Sequence, residues 1–412
     1  MGKLRYIDLF AGAGGLSEGF VKAGFEPIAH VEMNKDASDT LRTRVAFHHL
    51  LEKDDLKQYY SYLNQDISRD ELWNSIPEEL LESVINKEID DDSIKGIFSK
   101  IDIQLDSKKV DIIIGGPPCQ AYSLVGRSRD PNNMRDDKRN FLFRYYAKFL
   151  IHYKPKFFVF ENVLGLLTAG NARYLNEMLE LFSEIGYSAD FKVLKTDEFG
   201  VLQKRKRVII IGKRGKSKFN FPKFELMENK WEIKKDLFFD LPTLKPGQEM
   251  PIAKYTKQPN EYLNKTVTRN GINYTTQHIT RNHNERDLEI YALAIERWLN
   301  DRERLKYNDI PKRLQTHKNT TAFLDRYKVV DPIGHSHTVV AHISKDGHYY
   351  IYPDLEQVRS ISVREAARIQ SFPDNYFFEG GRTASFKQIG NAVPPLMAES
   401  IANTLKDLLM NG

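Results

Sequence analysis

The sequence predicts an α/β fold: a doubly wound parallel sheet with helices on both faces, followed by a smaller, irregular second domain. Three observations predict it. Short, fully apolar runs alternate with helical patterns through the first half of the chain. After Lys213 that alternation gives way to turn formers, amides and aromatics. The basic excess also lies there: Lys213 to His335 holds 24 Lys plus Arg against 16 Asp plus Glu, a net of +8 within a total of +5, leaving the rest at −3.

The elements follow in order. Leu4 to Phe10 reads as a buried strand, Leu16 to Ala23 as a helix, Glu26 to Val31 as a second strand and Asp36 to Ala46 as a helix. The run VDIIIG places a strand at Val110 to Ile114, and Phe141 to His152 is helical. Phe157 to Phe160 (FFVF) is a buried strand, Tyr174 to Ile185 a helix, and Lys192 to Leu194 and Val208 to Ile211 are strands. Strands apolar on both faces are those of parallel sheets covered on both sides. The acidic, helix-rich stretch at about 68–109 reads as a helical insertion, an amphipathic pair without chemistry. Further on, Asn284 is placed to cap a helix whose first turn is acidic. VREAARIQSF reads as an amphipathic helix, and Leu396 to Leu409 as the closing one. The implied units are 1–212, 213–335, and 336–412, whose last helix is expected to return to the first unit.

Several classes are excluded. No run of about 18 apolar residues is present, so no ordinary transmembrane helix is expected. No signal-like leader precedes the first strand. One cysteine, Cys119, excludes a disulfide framework and any cysteine-rich zinc module. Seven of the 11 histidines fall between His278 and His348, but without cysteine partners or helical His spacing, so no metal is expected.

Four motifs carry chemistry. DLFAGAGGLSEGF (Asp8 to Phe20) puts Gly12, Gly14 and Gly15 between a strand and a helix, where backbone N–H groups face a ligand. Ser17 stands where a dinucleotide fingerprint has its third glycine. Glu32 closes the second strand, where an acid suits the two hydroxyls of a ribose. GGPPCQAYS presents Cys119 on a loop stiffened by Pro117 and Pro118, followed by Arg127, Arg129, Arg135, Lys138 and Arg139. Such a basic loop suits a lid over an anionic substrate and favours thiolate. In FFVFENV, Glu161 and Asn162 end an apolar strand, and a carboxyl group there can act as a hydrogen-bonding acid. In QKRKRVIIIG, Arg205 and Arg207 are expected to alternate outward before a buried strand, able to hold a phosphate or a carbonyl oxygen.

The ordered set DLFAGAGG, GGPPCQAYS, ENV, QKRKRVIIIG, VREAARIQSFPD and QIGNAVPP resembles the motifs of DNA cytosine-5 methyltransferases of bacterial restriction-modification type. The resemblance covers about Arg5 to Gly212 and Ser336 to Ala402, and the basic gap falls where that family carries its target-recognition domain. It implies a Rossmann-like, S-adenosylmethionine-dependent catalytic domain. It further implies Cys119 as nucleophile, Glu161 on ring N3 and the 4-amino group, and Arg207 on the base O2, with Asn162 and Arg205 as supports. Phe10, Gly12, Gly14, Leu16, Glu32, Pro117 and Asn391 are implied cofactor residues. Asp66 with Ile67 best matches the adenine contact, Asp102–Ile103 being second. Ala392 departs from members with serine there. Gln120, Ser123, Arg139 and Thr338 match DNA-side positions, and the helix at VREAARIQSF is implied to brace the recognition domain. The implied partners are double-stranded DNA and, functionally, a cognate restriction endonuclease. A monomer in the bacterial cytoplasm, with S-adenosylhomocysteine as product and no metal, completes the expectation. The size of the basic module favours DNA over tRNA, and polar residues between Asn270 and Arg286 are candidates for base readout.

Overall fold

Seven strands of the first half pair into one sheet, in the computed structural model that describes residues 2–117, 142–170, 172–228, 230–316, 321 and 323–411. In chain order the strands are β1 (Arg5–Leu9), β2 (Glu26–Glu32), β3 (Val84–Asn86), β4 (Ile112–Gly115), β5 (Phe157–Asn162), β6 (Tyr187–Lys195), β7 (Gln203–Lys204) and β8 (Lys206–Arg214). The sheet order is β3-β2-β1-β4-β5-β8-β6, and β7 pairs elsewhere. The helices here are α1 (Gly15–Lys22), α2 (Lys35–Glu52), α3 (Lys57–Leu63), α4 (Arg69–Asn74), α5 (Glu78–Glu82), α6 (Ile94–Leu105), α7 (Leu142–Tyr153) and α8 (Arg173–Glu184).

Side-chain alternation explains why the sheet is covered twice. Ile7, Leu9, Ile113, Phe158, Phe160, Val208 and Ile210 pack on one face with Ile97, Tyr146, Phe149, Met178 and Phe182 from α6, α7 and α8. Tyr6, Ile112, Ile114, Phe157, Val159, Ile209 and Ile211 pack on the other with Leu16 and Phe20 of α1 and Met397, Ile401 and Leu405 of the last helix. Each fully buried side chain of this size contributes roughly 1.5–3 kcal/mol.

Two expectations need correction. The sheet is not wholly parallel, because β8 runs antiparallel to both β5 and β6. The short connection from β6 to β8 holds no crossover helix, and antiparallel neighbours need none. Nor is the 68–109 stretch only a helical insertion. It supplies β3, the edge strand paired with β2, and α6, which packs beneath the sheet. A strand of three residues inside a helix-rich stretch is too short for its periodicity to be read.

The remaining elements are β9 (Glu249–Lys254), α9 (Glu261–Lys265), β10 (Tyr274–Ile279), α10 (Glu285–Asp301), β11 (Ser336–His337), α11 (Val363–Ile369), α12 (Arg382–Asn391) and α13 (Pro395–Met410). β9 and β10 form an antiparallel ribbon. Asn284 caps α10, its side chain accepting the N–H of Asp287 as expected. The helix α11 is not amphipathic, since all seven of its residues are buried. Its charges are paired inside: Arg368 bonds Asp240 and Asp374 at 2.6 Å each, and Glu365 holds Arg359 at 2.8 Å.

Candidate active site at the strand ends

The glycine-rich turn leaves β1 through strained backbone. Phe10 has φ 56°, and Gly12 and Gly14 have φ 55° and 75°. A left-handed aromatic residue is costly and marks a site whose surroundings over-determine it. Gly14 caps α1, and a Cβ there would also lie 2.8 Å from Leu41 and 2.9 Å from the Tyr376 hydroxyl.

Glu32 joins this turn to β2. Its Oε2 accepts the Gly12 N–H at 2.8 Å and its Oε1 the Asn34 N–H at 2.7 Å. Burial raises its carboxyl above the ordinary value. Beside it, Met33 is 58% exposed, an apolar surface next to an acid. Asn86, at the end of β3, donates to the carbonyls of Glu32 at 2.9 Å and Met33 at 3.0 Å. Neither Met33 nor Asn86 was singled out from sequence. The signal for Met33 was its place directly after Glu32; Asn86 needed the hidden edge strand. Asp8, below the turn, is almost wholly buried, and its Oδ2 has no hydrogen-bond partner among the described residues. Burial, with Glu32 nearby, pushes its carboxyl well above the usual range. Leu16 is buried in the core, and Asn391 is exposed at the end of α12.

The structure does not bring Asp66 and Ile67 to this place. They lie in the turn between α3 and α4, with Asp66 exposed and Ile67 packed on the cluster around Phe47 and Tyr59. Asp102 lies in α6, bonded to the Tyr153 hydroxyl at 3.1 Å, and Ile103 is exposed.

The second half of the site lies at the ends of β4 and β5. Gly115 ends β4, and Pro117 is buried. A Cβ on Gly116 would lie 2.6 Å from Glu161 Oε2, so the carboxylate rests directly against this backbone. Arg207 Nε stands 2.7 Å from Glu161 Oε1, and both side chains are close to nine-tenths buried. The Asn162 side-chain Oδ1 accepts the Val163 N–H at 2.8 Å and fixes the turn that leaves β5. Cys119, Gln120, Ser123 and Arg139 lie outside the described residues.

The QKRKR segment is inverted relative to expectation. Gln203 and Arg205 are fully buried and Arg207 nearly so, whereas Lys204 and Lys206 face out. Arg205 Nη1 donates to the Val339 carbonyl at 2.6 Å and Nη2 to that of Ala392 at 2.9 Å. It is therefore unavailable to a phosphate. Thr338 is half-buried and donates its hydroxyl to the Lys204 carbonyl at 2.8 Å. Base readout by the centre of the Asn270–Arg286 stretch is also overturned: Thr275, Thr276, Gln277, His278 and Thr280 are buried in packing.

A cleft of about 1040 Å³ lies elsewhere, between α1, α2, α13 and the segment around Leu226, and of the candidate residues named above Asn270 alone lines it. Among the described residues no group of three His, Cys, Asp or Glu could hold a metal ion. No described helix is long and apolar enough to cross a membrane.

A doubly wound sheet with a glycine turn, a largely buried acid and a Glu–Arg pair at its strand ends has the architecture of the nucleotide-cofactor folds. The family model of C-5 cytosine-specific DNA methylases matches residues 4–77 and 70–407, and the chain belongs to that family: it is a DNA cytosine-5 methyltransferase. The Type II methyltransferase M.Bpa9945I of Bacillus paralicheniformis is 45% identical over 98% of each chain. The Type II methyltransferase M1.HphI of Haemophilus parahaemolyticus is 31% identical over 99% of this chain and 88% of its own. The fold also matches an E. coli crystal structure of a prophage-encoded DNA modification methyltransferase, with TM-score 0.65, 24% identity and coverage of 99% and 100%.

Proposed function

We propose that the chain transfers a methyl group from S-adenosyl-L-methionine to carbon 5 of a cytosine flipped out of a specific double-stranded DNA sequence, releasing S-adenosyl-L-homocysteine. The Glu161–Arg207 pair at 2.7 Å carries this reading. A carboxylate and a guanidinium side by side in a pocket complement N3, the 4-amino group and O2 of one cytosine edge. A base inside a duplex cannot reach such a pocket without leaving the stack.

The residues at the first half of the site fit the cofactor. Glu32 keeps carboxylate lone pairs for a ribose, Met33 offers an apolar face to an adenine, and the turn from Phe10 to Leu16 with Asn391 borders a methionine tail. Asn86 takes the place that Asp66 and Ile67 were expected to fill. When bound, S-adenosylmethionine supplies an electrophilic methyl group.

Cys119 adds as thiolate to carbon 6, opening the 5,6 double bond and making carbon 5 nucleophilic. Glu161 and Arg207 hold the charge that develops over the ring. Carbon 5 takes the methyl group and then loses its proton to a base. The electron pair re-forms the double bond and expels Cys119. Pro117 places the nucleophile's loop, and Asn162 keeps Glu161 at its strand end. Gln120, Ser123, Arg139 and Thr338 contact DNA, and the 213–335 unit reads the sequence.

The names of the relatives support a role in restriction-modification, protecting DNA in a bacterial cytoplasm from a cognate endonuclease. One monomer suffices for one flipped base. The test is transfer of labelled methyl from S-adenosylmethionine, followed by bisulfite sequencing. Label at carbon 5 of cytosine in duplex DNA is expected. Label in tRNA alone, or undiminished transfer by Cys119→Ala, contradicts the reading.

A further inference from the structure

The glycine turn and the Glu161–Arg207 pair lie where β1, β4 and β5 end. At the opposite end of these strands the connecting turns are stitched side by side. The Asp111 N–H donates to the Arg5 carbonyl, the Lys156 N–H to that of Asp111 and the Arg214 N–H to that of Lys156, each at 2.9 Å. Three runs therefore share one edge: Lys108 and Lys109 before β4, Lys154 to Lys156 before β5, and Lys213 to Lys218 at the close of β8.

This edge is basic and uncompensated. The eight Lys and Arg of the three runs are all exposed. Among the described residues none of them pairs with a carboxylate. The runs at 154–156 and 213–218 hold no acid, and Asp106, ahead of Lys108, is exposed. Asp111 and Glu26 are taken by Arg5, whose backbone N–H reaches Asp111 Oδ2 at 2.9 Å and whose Nε reaches Glu26 Oε2 at 3.0 Å. Within the edge, a pocket of about 120 Å³ is lined by Lys156, Lys213 and Arg214 with Phe157, Leu408 and Leu409: three cations and no carboxylate. Like charges gathered without an opposite one repel, and an anion relieves that repulsion. Lysine and arginine together suit a phosphate group. The four cations from Lys213 to Lys218 belong to the excess counted over 213–335, yet they lie on the sheet of the first unit.

We propose that this edge is a second nucleic-acid site, which holds the phosphate backbone of a duplex DNA segment other than the one being methylated, whatever its sequence. Lys156 and Glu161 are five residues apart along one strand, or about 17 Å. The covered sheet lies between them, so a straight duplex at one end does not touch the other. Duplex DNA carries one charge per about 1.7 Å of axis, enough to meet several of these cations at once. Contacts from Lys and Arg to phosphate alone carry no sequence information. Such a hold lets the enzyme pass from one DNA segment to another without entering free solution.

The experiment uses the full chain, its active site saturated with S-adenosylhomocysteine and a short duplex carrying the sequence that bisulfite mapping identifies. A fluorescent duplex lacking that sequence is then titrated at several salt concentrations. The proteins compared are the native chain and the triple variant Lys156→Gln, Lys213→Gln, Lys216→Gln. The native chain should bind this second duplex. The variant should bind it at least about tenfold more weakly, with the slope of log affinity against log salt reduced by about 2–3. It should melt as the native chain does and methylate the short duplex at the native rate. A native chain that takes no second duplex once the first is bound overturns the proposal, as does a variant with native affinity and slope. A variant that loses methyl transfer together with the second duplex also overturns it, because the edge then serves the duplex at the active site. Inorganic phosphate that displaces the second duplex at micromolar concentration makes the pocket a site for the free anion, and binding of phosphatidylglycerol vesicles in place of duplex makes the edge a lipid surface. Either result overturns the assignment to DNA.

Discussion

Arg207 Nε lies 2.7 Å from Oε1 of Glu161, across the antiparallel pair β5 and β8. The antiparallel turn of β8 makes this possible, because it brings the start of that strand beside the end of β5. Glu161→Gln keeps the size and removes the charge. The account expects the chemical step to slow by about 10²–10³, with DNA binding largely kept. Single-turnover methyl transfer checks this, and a rate within a few-fold of native counts against the assigned role.

Glu32 gives a pH prediction. Its carboxyl is raised above the ordinary 4.5 by burial, so it protonates sooner than a free one as pH falls. In the proposed function the ionised form accepts from the ribose. Cofactor affinity is therefore full above the raised pKa and lost as pH drops through it. Titrating S-adenosylhomocysteine between neutral and acid pH should show the loss, and Glu32→Gln should bind weakly with a flatter profile.

Acid should also weaken the fold. His30 and His278 are buried and pushed down to about 4, from 6.5. His278 is fixed between the Ser362 hydroxyl at 2.9 Å and the Pro242 carbonyl at 2.8 Å. Because the folded values are depressed, the unfolded chain takes up protons first. Stability is complete above 6.5 and falls toward 4, by about 3 kcal/mol per group at the limit. Melting temperatures at pH 7 and pH 5 test this, and equal values contradict it.

The buried charges of α11 make a contrast with surface pairs. Arg368→Met leaves the carboxylates of Asp240 and Asp374 in the interior and should cost about 3–5 kcal/mol. Arg313→Ala removes an exposed, solvent-screened pair with Glu289 and should leave the unfolding midpoint almost unchanged. Denaturant unfolding of the two variants separates these effects.

Much of this was legible in the residues. The apolar runs of β1, β2, β4, β5 and β8 located the sheet, and the glycine turn, Glu32 and Glu161 fell at strand ends as expected. What was hidden depended on partners remote in sequence. Alternation told that Arg205 and Arg207 share a face, but not that this face is covered by Val339 and Ala392, more than 130 residues away. Likewise α11 read as amphipathic rather than wholly buried, because Asp240, which neutralises Arg368, comes from the second unit. The edge strand β3 was too short to announce itself, so Asn86 at its end was not among the residues expected at the strand ends.

The account's central claim is that carbon 5 is activated by a covalent bond from Cys119 to carbon 6. A duplex with 5-fluorocytosine at the methylated position tests it most directly, because fluorine cannot leave as the proton does and the adduct cannot break down. With S-adenosylmethionine present, the native protein should form a complex with this DNA that survives denaturing electrophoresis, and Cys119→Ala should form none. A native protein that methylates ordinary duplex yet leaves the fluorinated one unattached, or an equal yield of complex from Cys119→Ala, would contradict it.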